Sequence, residues 1–179
     1  MNPVTGNVII DTCTLENFVV VDALGLLGQR PGARARWTET IRIEVARGVR
    51  AEPRLREVLQ AQWLGEPVEI HADLGGIKRI DQIRRALGGR PAQPMRHLGE
   101  AEVIYFLEES EPDWTFLSDD RPAVAFARSR GLHAVDTAEM LSECHAAHEI
   151  GCPDAYQLLL KMAAAGRGVR VPASHREVC

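Results

Sequence analysis

The chain predicts an α/β fold with a central parallel sheet flanked by helices. Three observations predict it. Short apolar runs at 7–10, 114–117 and 132–135 lack strict alternation and read as strands buried on both faces. Segments with apolar residues at helical spacing follow them. Strands and helices therefore alternate, as in a sheet built from parallel crossovers. A length of 179 residues, 45% of them apolar, suits one domain with a substantial core, and 5% aromatics make that core mainly aliphatic.

The elements follow in order. Val8-Ile9-Ile10 is the first strand, ended by Asp11-Thr12. Leu15 through Leu27 reads as a helix capped by Thr12 or Thr14, and GQRPGAR as a loop. Arg36-Trp37-Thr38 reads as a second strand; Thr40 then caps a helix from Ile41 to Arg47, stopped by Gly48. Pro53 opens a helix carrying Leu55, Val58, Leu59 and Trp63, closed by Gly65. Pro67 to His71 alternates and reads as an edge strand. Ile77, Ile80, Ile83 and Leu87 define another helix, and HLGEAEVIYFLEE one more. Trp114 to Leu117 is a strand, and Pro122 to Arg130 a helix that Gly131 stops. Leu132 to Val135 is a strand. Asp136 or Thr137 caps a helix to about Ala147, Pro153 to Ala165 is the last long helix, and Val169-Arg170-Val171 reads as a closing strand.

No run approaches the ~20 apolar residues of a membrane-spanning helix. The start, MNPVTGNVIID, lacks the basic and apolar regions of a signal peptide, so a cytoplasmic protein is expected. In that compartment Cys13, Cys144, Cys152 and Cys179 are not expected to form a disulfide framework. Cys144-His145-x-x-His148-x-x-x-Cys152 matches no common zinc spacing and reads as a packed helix end. His71 and His97 are isolated and receive no role. A net charge of −4 argues against broad nucleic-acid binding by the whole surface. The cations are nearly all arginine, with Lys78 and Lys161 the only lysines, so a local phosphate-binding rim is open to the chain. Its candidates are Arg34, Arg36, Arg42, Arg47, Arg84, Arg85 and above all Arg121, beside an acidic pair.

Five carboxylates carry the chemistry. Asp11 ends the first strand, Glu44 lies in TIRIEVARG, Glu100 opens an amphipathic helix, and Asp119 and Asp120 end a later strand. In open parallel sheets, sites form outside the carboxyl ends of strands, where Asp11 and the 119–120 pair fall. Clustered unpaired acids repel one another by roughly a few kcal/mol per close pair, and a hard divalent cation relieves that repulsion. Each acid also has a structural reading: Asp11 and Asp120 as helix caps, Glu44 as a solvated face, Glu100 as a partner of the helix dipole. Glu102 reads as surface.

VIIDTCTL, IRIEVARG, HLGEAEVIYFL and FLSDDRPAVAFARSRGL, in that order, resemble the PIN-domain nucleases, and GEAE…SDDR…A…GL is closest to the branch of bacterial VapC toxins. The resemblance covers about residues 7–140 and, more weakly, the tail to about 171. It implies a single PIN-like domain over 1–179, a three-layer α/β sandwich with a helical arm at about 50–96 and a C-terminal helical tail at about 137–171. It implies an endoribonuclease dependent on Mg²⁺ or Mn²⁺, leaving 5′-phosphate and 3′-hydroxyl ends, and plausible as the toxin of a toxin–antitoxin pair. RNA, an antitoxin protein and a second copy of the chain are the implied partners.

Residue by residue, Asp11, Glu44 and Glu100 match the first three acids, with glutamate at 100 where aspartate is commoner. Asp120 matches the fourth, with Ser118 in the place of a threonine, and Asp119 is an adjacent alternative. Asp11, Glu100 and Asp120 would be metal ligands, Glu44 a proton acceptor, and Arg121, Ser118 and Thr12 substrate contacts. Cys13 stands where the family has a serine, threonine or asparagine. Two other readings stay open: a non-catalytic PIN-like RNA-binding or scaffold module, and a phosphohydrolase with Asp11 as nucleophile. The latter usually needs an aspartate two residues on, where Cys13 stands.

Overall fold

The computed structural model describes residues 6–29 and 33–179. Its sheet is all-parallel, ordered β2-β1-β3-β4, from β1 (Gly6–Ile10), β2 (Ala33–Arg36), β3 (Thr115–Leu117) and β4 (His133–Val135). Consecutive residues along β1 and β3 are buried. Neighbouring side chains on a strand point to opposite faces, so both faces of the sheet are covered. The order reverses at β1: the chain leaves it to form β2 on one side, then returns to lay β3 on the other. The Asp11 amide donates to the Leu117 carbonyl at 3.0 Å, extending the β1–β3 pairing to the carboxyl ends of both strands.

The helices are α1 (Thr12–Val20), α2 (Leu24–Gln29), α3 (Glu39–Gly48), α4 (Arg56–Leu59), α5 (Leu74–Ala86), α6 (Leu98–Glu109), α7 (Arg121–Ser129), α8 (Thr137–Ala146) and α9 (Cys152–Ala164). The single helix expected over 15–27 is two. Asp22 adopts φ 56°, and the Ala23 amide reaches the Phe18 carbonyl at 2.9 Å, a helix-terminating turn. Thr38, rather than Thr40, caps α3, and Asp136 closes a reciprocal capping box with Glu139 on α8. The helix expected after Pro53 is broken into two 3₁₀ turns, Pro53–Leu55 and Gln62–Leu64, around α4.

Three strand expectations are corrected. The second strand lies at Ala33–Arg36, ahead of 36–38; the loop residues 30–32 before it fall outside the described residues. Residues 67–71 make only a bridge from Val68 to Thr38. Pro67 offers no N–H to a ladder; Val68 and Ile70 are half-buried, with Ile70 against the core, while Glu69 and His71 are exposed. Among the described residues, 169–171 pair with no strand; Arg170 instead grips Asp136 through both oxygens at 2.5 and 2.9 Å.

The core is one aliphatic cluster around Ile9, Ile10, Leu15, Phe18, Ile41, Ile104, Leu107, Phe116 and Leu141, all essentially sealed from solvent. α5 lies against α6, and Gly76 makes this possible: a Cβ there would sit 2.4 Å from the Tyr105 hydroxyl. Ile80 and Ile83 face the core, while Leu74 and Ile77 at the start of α5 are exposed. Cys152 and Cys179 form a disulfide, contrary to expectation, with Cα atoms 5.3 Å apart; it ties the end of the described chain to the first residue of α9. Cys144 is buried in α8, and the ring of its sequence neighbour His145 lies 3.2 Å from the Ile150 carbonyl. Among the described residues, no helix is long and apolar enough to cross a membrane.

Candidate active site

The five acids meet. Asp11, Glu44, Glu100, Asp119 and Asp120 line one cavity of about 320 Å³ at the carboxyl ends of β1 and β3, where the strand order reverses. Thr12, Cys13, Glu16, Asn17, Arg167 and Gly168 complete its wall.

Asp11 leaves β1 and caps α1, so its backbone is fixed by two elements. Its Oδ1 accepts from the Thr12 amide at 2.7 Å. Oδ2 accepts from the Ser118 hydroxyl at 2.8 Å and from the Cys13 thiol at 3.0 Å. The carboxyl is 4% exposed. Burial, then the charge of Glu100, pushes its pKa up to about 7, against the three hydrogen bonds that favour the anion. Glu100 is raised too, first by burial, with the nearby His97 opposing and Asp120 adding to the shift. Burial likewise raises Glu44, with Asp11 and Glu102 contributing, and the Thr12 hydroxyl donates to its Oε2 at 2.6 Å. Four elements thus bring the five carboxyls into one desolvated space whose described lining holds a single arginine, Arg167, an excess of acid that suits a cation.

The 119–120 pair divides its work. Asp119 accepts from the Thr137 amide at 3.0 Å, the Thr137 hydroxyl at 2.5 Å and the Asn17 amide at 2.7 Å, tying β3 to α8 and α1. Burial still raises its pKa. Asp120 spends Oδ1 on the Ala123 amide at 2.8 Å, capping α7, and turns Oδ2 toward the cavity. Asp120 thus caps α7 with one oxygen while lining the cavity, its other oxygen 3.6 Å from His97 Nδ1.

Sequence reasoning gave His97 no role, and the fold gives it one. It precedes α6 in a left-handed conformation, φ 58°. Its Nδ1 lies 3.1 Å from Glu100 Oε1 and 3.6 Å from Asp120 Oδ2. Ligand atoms of His97, Glu100 and Asp120 all fall within 4.8 Å of one another, a grouping that could hold a metal ion. The H-x-x-E spacing at a helix start was the available signal. Arg167, the second residue missed, follows the Gly166 that ends α9 and falls between the expected last helix and the expected closing strand, where sequence reasoning assigned nothing.

Other assignments are revised. Ser118 is buried and faces Asp11; its hydroxyl also accepts from the Asp120 amide at 3.1 Å, so it links the two acids. The Cys13 thiol donates to Asp11 at 3.0 Å, and burial and Asp11 hold that thiol well above its ordinary pKa. Thr12 does line the cavity, with its hydroxyl engaged by Glu44. Arg121 is exposed and lines a neighbouring cavity with Arg128 and Arg170, not the acidic one. Arg84 is buried, bonded to Asp81 and to the carbonyls of Arg90 and Gln93. Arg42 pairs with Glu39, and Arg85 with Asp81. The side chain of Arg34 falls outside the described residues. Glu102 is half-buried, and the Thr40 side chain hydrogen-bonds to it. Comparison of the chain with family models, with curated proteins and with solved structures found no match.

Proposed function

We propose that the protein is a metal-dependent endoribonuclease with the three-layer fold of the PIN nucleases. The observation that carries this reading is the convergence of Asp11, Glu44, Glu100, Asp119 and Asp120 on one cavity at the sheet's reversal point. The donor set fits a hard divalent ion. Glu100, Asp120 and Asp11 offer carboxylate oxygens, and the imidazole of His97 beside them favours Mn²⁺ relative to Mg²⁺. When bound, the ion offsets charge on the scissile phosphodiester and lowers the cost of deprotonating water. Glu44, its carboxyl raised by burial and oriented by the Thr12 hydroxyl, accepts the proton of the attacking water. Ser118 and the Cys13 thiol hold Asp11 in place, and Asp119 fixes the β3 end that carries Asp120.

The test is cleavage of single-stranded and structured RNA with Mn²⁺ or Mg²⁺. Activity should vanish with EDTA and fall about 100-fold or more in Asp11→Asn. Cleavage that survives either change rules the reading out. The toxin role has its own test. Expression without an antitoxin should arrest growth, and unimpaired growth with active nuclease present excludes it. A second copy of the chain is the other partner proposed, to be read by light scattering.

A further inference from the structure

We infer that Arg167 is the substrate-phosphate ligand of the acidic cavity, held in reserve by Glu16 until RNA enters. This assignment rests on the nuclease reading above. A polyanion approaching a wall of carboxylates needs a cation at that wall besides the metal. Among the described residues lining the cavity, Arg167 is the one cation. Its Nε donates to Asn17 Oδ1 at 2.7 Å, and its terminal nitrogen pairs with Glu16. Both partners of the Arg167–Glu16 pair are 26% exposed, so solvent and substrate reach it.

The chain builds this position deliberately. Gly166, at φ 77°, ends α9, with its amide on the Ala163 carbonyl at 2.9 Å and the Arg167 amide on the Met162 carbonyl at 3.0 Å. The next residue inward, Gly168, also lines the cavity and adds no side chain to it. A guanidinium presents a planar fork to a carboxylate and to a phosphate alike. Glu16 engages one terminal nitrogen through Oε2 alone while Nε stays on Asn17, so one phosphodiester oxygen in place of that carboxylate oxygen keeps the same donor geometry. Asn17 completes the arrangement, since it accepts from Arg167 and donates to Asp119 at 2.7 Å. Arg121, the candidate favoured by sequence, opens on a different cavity.

Purified wild type, Arg167→Ala, Arg167→Lys and Glu16→Gln are compared on a single-stranded RNA oligonucleotide in Mn²⁺, with Mn²⁺ affinity measured by calorimetry. Arg167→Ala should raise KM about tenfold or more while Mn²⁺ affinity stays within about twofold, and Arg167→Lys should recover part of the loss. Glu16→Gln, which frees the guanidinium, should lower KM about threefold. If the wild type cleaves and KM is unmoved in the Arg167 variants, the assignment is overturned and the nuclease reading stands. If kcat and Mn²⁺ affinity fall with KM unchanged, Arg167 only positions Asn17 and Asp119, and the assignment is likewise overturned. Should Arg167→Ala not fold, an unchanged KM in Glu16→Gln overturns it. A wild type inactive with both metals defeats the nuclease reading, and this assignment with it.

Discussion

Asp11→Asn separates a burdened metal-site carboxylate from a simple helix cap. In the metal-free protein the folded Asp11 carboxyl keeps its proton to about pH 7, whereas the unfolded chain releases it near 3.8. Between those limits the folded state binds the extra proton. Stability must therefore fall as pH rises from about 4 to about 7, with the penalty complete above that. The difference corresponds to about 4 kcal/mol. Asparagine carries no charge and escapes the penalty, but its amide meets the Ser118 and Cys13 donors that now feed Oδ2, at a cost of about 1–2 kcal/mol. In EDTA the variant should be more stable than wild type by about 2–3 kcal/mol near pH 8, and less stable by about 1–2 kcal/mol near pH 4.

Mn²⁺ should reverse the order at high pH. A ligand at about 1,000 times its Kd adds about 4.1 kcal/mol to a protein that binds it, more than the wild type's deficit of about 2–3 kcal/mol, and the variant should gain little. Urea denaturation followed by the fluorescence of Trp37, Trp63 and Trp114, at both pH values with and without Mn²⁺, reads all four cases. Equal destabilisation of the variant at both pH values, or equal stabilisation of both proteins by Mn²⁺, refutes the reasoning.

Four further outcomes are expected. Asp119→Asn should cost about 2 kcal/mol of stability because its acceptor oxygens hold Thr137 and Asn17 together. Asp120→Asn should keep its stability, since asparagine caps helices as well as aspartate, yet weaken Mn²⁺ binding about tenfold or more; denaturation and calorimetry distinguish the pair. Ser118→Ala should lower RNA cleavage about tenfold by letting Asp11 turn, with a stability loss of about 1–2 kcal/mol, both measured on the same preparation. Arg84→Ala should destabilise by about 2–3 kcal/mol by releasing the Arg90 and Gln93 carbonyls, while the folded fraction cleaves RNA at the wild-type rate.

The sequence by itself determined the buried strands, read at 7–10, 114–117 and 132–135 and found within a residue of those bounds, the parallel sheet and the acids at its carboxyl edge. These are local properties: an apolar run, a helical period and a carboxylate at a strand end are written within a few residues of one another. It misjudged runs whose state depends on what lies beside them, such as 67–71 and 169–171, because a short segment becomes a strand only if a neighbour supplies a ladder. Tertiary structure alone decided that Asp119 braces while Asp120 opens, since the difference lies in Thr137 and Asn17, distant along the chain. Tertiary structure also buried Arg84, turned Arg121 to another cavity, and brought His97 and Arg167 to the acids. Charge reaches through space, so the surroundings of a side chain are set by where the backbone returns, and no window of sequence contains that.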